Sequence, residues 1–360
     1  VGAVGTAVVV LLLLGETHPG RALLHLGAVA LLLFLFLGVG GAMKLPEPPP
    51  GGMGLGLRPE DGEGDGDPEE GEAQPQDGQG SESQEPQNDD ELEFRDDLDT
   101  SSDRVPVAVV LFHDDYHAPT GVYYLRQGAF SQYNGQRLVT AVDAASDDDV
   151  ARDFAVRRTD VAGAPDLNAF RASVDTTVAL LADHTRPFGL ESPVTFTPAR
   201  NPDPNRFRRV YRVTSAVLTA DFASMVDRDA GNADWSPEDW AHYTRAPDDP
   251  RYADLANRIV ADELPEHLRE SPAARIAAIT SWLGRRGTYS LQSRHASAED
   301  PTADFLFGDI TGYCVHFAHA ATYLFRASGL PARVATGDAI EESNRAGGSA
   351  LLVAGDASHA

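Results

Sequence analysis

The sequence predicts an α+β protein in which a β-rich module, residues 105–221, precedes a helix-rich domain, residues 222–360. In the module, short runs of β-branched and aromatic residues alternate with Pro, Gly, Asn and Asp, a pattern typical of strands and turns. In the second domain, apolar residues recur at helical spacing between capping and helix-stopping residues. Two further segments, 1–43 and 44–104, come before the module.

Two apolar runs lie at the start of the chain, Val1 to Gly15 and Ala22 to Met43. The second has the length needed to cross a bilayer core of about 30 Å. We therefore expect residues 1–43 to form two transmembrane helices, the first of them truncated, in a multi-pass protein of the cell membrane. A secretory signal peptide is the alternative, but its apolar core would be shorter, and neither run has a basic leader. Arg21 and Lys44 flank the second run almost symmetrically, so positive charge does not decide its orientation.

The segment 44–104 is acidic and poor in aromatic and branched apolar residues. Within it, residues 58–104 hold 19 acidic residues against 3 arginines and so contribute −16 to the formal net charge of −26. Such a segment cannot bury enough apolar surface to offset the entropy of ordering, so we expect a disordered acidic linker. A solvated spacer is the simplest interpretation, and a cation or partner site is the alternative. The acidic balance argues against nucleic-acid binding, which needs a basic patch.

Local signals place the elements of both domains. Helices are predicted at Pro250 to Leu264 and, after a Ser271 cap, from Pro272 to Arg286, with Gly287 as the stop. Asp229 to Asp249 predicts a loop with three aromatic anchors, Trp235, Trp240 and Tyr243. The predicted strands of the module are Val105–Phe112, Val122–Gln127, Thr176–Leu181, Val194–Thr197 and Phe207–Val217.

The single cysteine, Cys314, is the candidate nucleophile. Gly312 closes a loop before it, and Gly329 with Pro331 marks a helix end after it, so a helix should begin at or next to Cys314. The unpaired N–H groups and the positive dipole end of that helix favour the thiolate over the thiol. The helix face below the sulfur is small and apolar, with Ala318, Ala321 and Phe325. Without this context, a lone cysteine is more often a small buried apolar residue.

His359 is the candidate general base. Predicted strands at Ala332–Gly337 and Ser349–Ala354 follow the helix, and a turn then leads into His359. An imidazole on a strand can take the proton of a thiol on a helix and keep the sulfur charged. A third residue normally orients the imidazole, and the sequence does not assign one. Asp338 and Asp356 could do so, but ordinary solvated loop carboxylates are the expectation for both.

Four other histidines have simpler interpretations than catalysis. His316 and His319 follow Cys314 by two and five residues, so a helix turns them away from its face and we expect packing or surface roles. His113 and His117 have the spacing of a helical metal pair, but they end a strand run and lack a third ligand in view. We therefore expect no metal site there, and the proposed chemistry requires no cofactor.

The residues around Cys314 resemble the core of bacterial transglutaminase-like membrane proteins. Trp282 to Leu291 is similar to the segment that precedes this core, and Tyr123 to Arg137 more weakly resembles the β-rich region of these proteins. The core resemblance rests on Asp304-Phe305-Leu306-Phe307, Gly312-Tyr313-Cys314, His316-Phe317-Ala318, Arg326-Ala327, and Gly329-Leu330-Pro331-Ala332-Arg333 with Gly337.

The resemblance implies a papain-like α+β core with a Cys-His-Asp triad that performs acyl transfer or hydrolysis on protein or peptide amides. Cys314 matches the nucleophile, and His359 matches the histidine of a His-Ala-Trp motif that stops at Ala360. The chain starts with Val1 and stops within a predicted strand, so we expect a piece of a longer protein with the aspartate beyond Ala360. The resemblance also implies an extracytoplasmic catalytic domain. The alternative is a catalytically inactive transglutaminase-like binding module at the cell surface.

Overall fold

The structure is a computed structural model, and the residues it describes all lie within Pro48–Ala360. The predicted transmembrane helices at 1–43 and most of the predicted linker at 44–104 lie outside the described residues and stay predictions. Within the described residues, no helix combines the length and the apolar character that a membrane span requires. The structure describes residues 91–96, 105–143, 145–346, 349–354 and 358–359.

The strands of the described chain lie mostly before residue 220 and after residue 333. They are β1 (Pro106–Phe112), β2 (Val122–Phe130), β3 (Gln132–Tyr133), β4 (Leu138–Val139), β5 (Thr159–Asp160), β6 (Arg171–Leu180), β7 (Gly189–Leu190), β8 (Pro193–Pro198), β9 (Arg209–Leu218), β10 (Thr288–Tyr289), β11 (Thr311–Gly312), β12 (Val334–Glu341), β13 (Arg345–Ala346), β14 (Ala350–Ala354) and β15 (Ser358–His359). The predicted strands are all present, and β6 begins five residues earlier than predicted.

The helices fall between the two groups of strands. They are α1 (Phe222–Met225), α2 (Pro237–Thr244), α3 (Pro250–Glu263), α4 (Pro272–Arg286), α5 (Pro301–Phe307) and α6 (Cys314–Ala327), with short 3-10 turns at Glu266–Leu268 and Glu342–Asn344. The bounds of α4 are as predicted: the Ser271 side chain accepts from the Ala274 N–H, and Gly287 follows the last turn. Gly287 has an extended backbone, and its role is steric, since a Cβ there would lie 2.3 Å from the Phe317 ring.

The predicted loop at Asp229 to Asp249 is wrong, because it contains α2. Ser236 and Asp239 form a reciprocal capping box, in which each side chain accepts from the other residue's backbone N–H. This pair satisfies two N–H groups that a helix start leaves unpaired. The helix buries Tyr243, and its ring stacks on Trp235 at 4.8 Å between centroids.

Both large sheets combine early and late strands. The seven-stranded antiparallel sheet has the order β13-β14-β1-β6-β9-β8-β5, and a four-stranded sheet has the order β15-β12-β2-β7. In the first, β1 pairs with β14, and in the second, β2 pairs with β12 along eight residue pairs. The predicted division at residue 221 is therefore not a break in the hydrogen-bonded sheets. Its exact position stays a prediction.

Two apolar cores flank the four-stranded sheet. One lies between the two large sheets and includes Tyr123 of β2 and Ile340 of β12. The other surrounds α6, which packs against α3, α4 and α5, and includes Phe130 of β2 and Val334 of β12. Because β2 and β12 contribute to both cores, they join the sheets to the helices. The start of α6 is held within this arrangement.

Candidate active site

Cys314 is the first residue of α6, as predicted. Tyr313 precedes it in an extended conformation, and the Tyr313 N–H donates to Nδ1 of His316 at 3.4 Å. His316 thus accepts the bond that a Glu or Gln accepts in a capping box. Cys314 itself is half-buried, while Tyr313 and Val315 on either side are buried. The sulfur therefore lies at the N-terminal end of a helix with fixed neighbours.

The helix that carries Cys314 packs against the core through the predicted apolar face, and it is buried on most other sides as well. Ala321 is buried, but Ala318 and Phe325 are only partly buried. The fully enclosed positions lie elsewhere on the helix because α6 packs against α2, α3, α4 and α5. They include His316, Phe317, His319, Ala320, Tyr323 and Leu324, all at 0% exposure.

The hydroxyl of Tyr289 contacts Cys314, a pairing that the sequence did not predict. The short strands β10 and β11 are parallel, with Tyr289 opposite Gly312, and the Ser290 N–H donates to the Gly312 carbonyl at 2.8 Å. This pairing places the Tyr289 hydroxyl beside Cys314. Burial, and then the adjacent Cys314, raise the pKa of Tyr289 to about 12. The hydroxyl therefore keeps its proton at neutral pH and can donate it to the sulfur.

His316 and His319 are buried neutral rings. Burial, followed for His316 by the neighbouring histidines, lowers the pKa of each to about 4. Nδ1 of His319 lies 2.9 Å from the Val315 carbonyl oxygen. Because a carbonyl oxygen can only accept, this nitrogen carries the proton and donates it. Nε2 of His316 has no hydrogen-bond partner in the described part of the chain. Both residues therefore pack within the domain, one of the two roles expected for them.

A third buried histidine, His295, links α5 to the strand that leads into Cys314. Nδ1 of His295 lies 2.7 Å from the Asp304 carboxylate, and Nε2 lies 3.0 Å from the Thr311 carbonyl oxygen. Its ring lies 5.5 Å from that of His316, measured between centroids. Asp304, from the predicted motif, thus positions the segment just before Cys314.

The backbone of His359 lies at the edge of the four-stranded sheet. In β15, His359 pairs with Gly337 of β12, and Ser358 pairs with Asp338. A Cβ at Gly337 would lie 1.8 Å from the Leu125 carbonyl oxygen, so this crossing requires glycine. The side chain of His359 lies outside the described part of the chain, and so does Asp356. The pairing of His359 with Cys314 stays a prediction.

The expectation of a solvated loop carboxylate is wrong for Asp338. This residue lies on β12 and is half-buried, and burial raises the pKa of its carboxyl to about 6. His113 and His117, the two histidines with the spacing of a metal pair, make ordinary side-chain contacts. His113 hydrogen-bonds Thr177 at 2.8 Å, and His117 contacts the Glu342 carboxylate at 3.0 Å. Within the described ranges, no group of three His, Cys, Asp or Glu side chains could hold a metal ion.

Comparison with known proteins identifies the domain that carries Cys314. Residues 253–360 match the model of the Transglutaminase-like superfamily. The chain carries a transglutaminase-like superfamily domain. The predicted resemblance is confirmed at that level, and the match spans α4, Tyr289, Cys314 and His359.

The chain is also similar to an enzyme of Pseudomonas aeruginosa. Over 103 residues it is 33% identical to a protein-glutamine gamma-glutamyltransferase. This match covers 29% of the chain and 15% of that enzyme's length. The crystal structure of the periplasmic domain of TgpA from the same organism is 20% identical, with a TM-score of 0.45 over 71% of this chain and 82% of that one. The same domain bound to ethylmercury gives 19% identity and a TM-score of 0.43, over 71% and 83%.

Arg333, from the predicted motif, holds the transglutaminase-like domain to the loop at 147–149. Its Nη1 lies 2.6 Å from Asp147 Oδ1, and its Nη2 lies 2.6 Å from Asp149 Oδ2. Arg126 of β2 donates to the same Asp149 carboxylate at 2.6 Å. Burial acts to raise the pKa of Asp149, but the two guanidinium groups outweigh it and hold that pKa at about 2. The start of β12 is therefore anchored by charge as well as by sheet pairing.

The segment Glu91–Asp96 lies against the transglutaminase-like domain, although it falls in the predicted disordered linker. Glu91 bridges to Val139, and Phe94 is only 8% exposed. Phe94 forms an apolar cluster with Tyr313 and Val315, and Cys314 packs against this cluster. The prediction of disorder rested on the charges of this segment and did not consider that Phe94 could be buried.

Proposed function

We propose that the chain is a membrane-anchored cysteine enzyme that transfers an acyl group from a protein or peptide amide to an amine or to water. The single observation that supports this most strongly is the placement of Cys314. Its half-buried sulfur lies at the N-terminus of a 14-residue buried helix, beside the hydroxyl of Tyr289. A helix N-terminus and a nearby donor both favour a charged sulfur.

In the proposed reaction, the Cys314 thiolate attacks the amide carbonyl carbon and forms a tetrahedral intermediate. His359 takes the thiol proton and returns it to the departing amine, which leaves a thioester on Cys314. An incoming amine or water then attacks the thioester, and His359 accepts its proton and passes it to the sulfur as the thiolate leaves. The backbone N–H of Cys314 and the Tyr289 hydroxyl are the candidate donors to the oxyanion.

Other parts of the proposal rest on the sequence. The third catalytic residue is expected to be an aspartate that follows Ala360. Membrane anchoring rests on the apolar runs within residues 1–43, and an extracytoplasmic orientation rests on the family resemblance. Resistance of the full chain to extraction from membranes at alkaline pH would support anchoring, and release into the soluble fraction would contradict it.

The catalytic proposal is tested with the full chain in detergent, a glutamine-containing protein acceptor and a fluorescent amine. We expect amine incorporation, or release of ammonia or peptide when amine is omitted, and loss of both in Cys314→Ala and His359→Ala. His267→Ala is the matched control, because His267 is an exposed histidine of the same domain. A chain that turns over no substrate but retains a bound partner would instead be a binding module.

A further inference from the structure

The segment Glu91–Asp96 contacts the domain mainly through its own main chain. The Arg95 N–H donates to the Tyr313 hydroxyl at 2.8 Å, and that hydroxyl donates to the Glu93 carbonyl at 3.4 Å. Ser293 makes two more bonds: its N–H donates to the Asp96 carbonyl at 2.8 Å, and its Oγ donates to the Arg95 carbonyl at 2.8 Å. Main-chain bonds of this kind hold an extended peptide with little regard for its sequence.

Phe94 supplies the buried apolar contact, and the partly buried Leu92 packs against the same cluster. The ring of Phe94 lies 5.1 Å from that of His316 and 4.9 Å from that of His319, measured between centroids. The charged neighbours Glu93 and Arg95 pair with each other at 3.1 Å and remain about half exposed. The segment therefore resembles a bound peptide with a single aromatic anchor, which is the arrangement of an interaction hot spot.

The ring beneath Phe94 is incompletely satisfied. His316 is fully buried, and its Nε2 lacks a hydrogen-bond partner within the described ranges. A buried polar atom without a partner costs free energy, which a permanent core contact would normally avoid. This cost favours a second arrangement in which Phe94 has left and His316 gains a partner.

We propose that Glu91–Asp96 occupies the groove in which an extended segment of a protein substrate binds beside Cys314, with an aromatic residue in the place of Phe94. This inference rests on the proposed function. Cys314 packs against the cluster that Phe94 completes, so the two sites are contiguous. Glu91–Asp96 competes with substrate for the groove and shields the sulfur while it is bound.

The test uses the alkylation rate of the full chain by iodoacetamide, which reports on Cys314 because the chain has one cysteine. We expect Phe94→Ala to speed alkylation about tenfold or more, since the open population rises when the anchor is lost. The hexapeptide Glu-Leu-Glu-Phe-Arg-Asp, added in excess, should slow it again, whereas the same peptide with Ala for Phe should not. Phe154→Ala is the matched control, because Phe154 packs in the sheet core.

An unchanged alkylation rate in Phe94→Ala, or equal effects of the two peptides, would overturn the inference. If Phe94→Ala does not fold, amide exchange of the unsubstituted chain decides the matter. The Arg95 and Ser293 N–H groups should exchange at least about a hundredfold faster than the amides of α6, through local opening. Equal protection would make the segment a permanent part of the core. A chain that shows these effects without turnover would contradict the proposed function and leave the groove assignment standing.

Discussion

The hydroxyl of Tyr289 lies beside the sulfur of Cys314, although the two residues lie 25 positions apart in the sequence. A two-residue parallel pairing between β10 and β11 creates this contact. Because the pKa of Tyr289 is raised to about 12, the phenol remains a donor at neutral pH. Its proton can serve either the resting thiolate or the oxyanion of the proposed intermediate.

Tyr289→Phe should lower kcat/KM for amine incorporation by roughly 10- to 100-fold, because one donor to developing charge is lost. KM should change less than kcat, since the interaction strengthens in the transition state. Steady-state kinetics with the glutamine acceptor measure both. Tyr133→Phe is the control, because its hydroxyl donates to the exposed Gly135 carbonyl in a turn. Equal kinetics for Tyr289→Phe and the unsubstituted chain would remove Tyr289 from the mechanism.

The buried neutral histidines predict an acid-sensitive fold. The pKa of His316 is about 4 in the folded chain and about 6.5 when unfolded, so the unfolded state binds the extra proton first. The contribution of this ring to the free energy of unfolding is therefore complete above pH 6.5. It is lost as the pH drops towards 4, and the loss is about 3 kcal/mol. Urea unfolding of the full chain at several pH values measures the slope.

His316→Gln separates this titration from the packing. A glutamine at the third helical position can still accept the Tyr313 N–H, so the cap is retained while the titrating group is removed. The free energy of unfolding should then depend less on pH. Between pH 6 and 5 the difference should correspond to about one proton. His267→Gln, at an exposed site, should leave the slope unchanged. A slope identical in all three chains would show that His316 does not titrate as described.

Gly337→Ala should destabilise the domain by about 2 kcal/mol, because backbone must move to admit the methyl group. The new Cβ would lie 1.8 Å from the Leu125 carbonyl oxygen and 3.0 Å from the Arg126 Cα. The proposed activity should fall as well, since β15 pairs with β12 at this position. Denaturant midpoints measure the first effect. Ala335→Ser, two residues away at an exposed position, should change little.

Arg333→Met should cost about 3 kcal/mol, because it leaves the buried Asp147 carboxylate without its guanidinium partner. Arg251→Met provides a control of equal geometry, since Arg251 also lies 2.6 Å from an aspartate oxygen but is 57% exposed. No measurable change is expected there, because water screens exposed ion pairs. Thermal unfolding of both variants would check the contrast, and similar losses would contradict it.

Elements with local boundary signals could be predicted from the sequence. Ser271, Pro272 and Gly287 bound α4, and Gly312 with Gly329 frames α6, because caps and stops act over a few residues. The same kind of signal was present for α2 in Ser236 and Asp239. It was outweighed by the aromatic residues around it, which suggested loop anchors.

The parts of the site that depend on distant pairs could not be predicted. Tyr289 reaches Cys314 through sheet pairing, and Phe94 reaches the same cluster from a segment whose composition indicates disorder. The predicted strand ends at Gly337, which places Asp338 in a loop. In the structure, β12 continues four residues further, to Glu341. Pairing with β2 extends it, and a single strand carries no local sign of that partner.

The neighbours of β1 have a consequence for biosynthesis. On one side β1 joins β6, but on the other it joins β14, roughly 240 residues later, so this closure is a slow, non-local step. While the ribosome is still producing the helices, one edge of β1 offers unpaired N–H and C=O groups to any passing strand. Chaperone dependence and aggregation of nascent chains should therefore be concentrated at this edge, and stopping synthesis before residue 350 should expose it permanently.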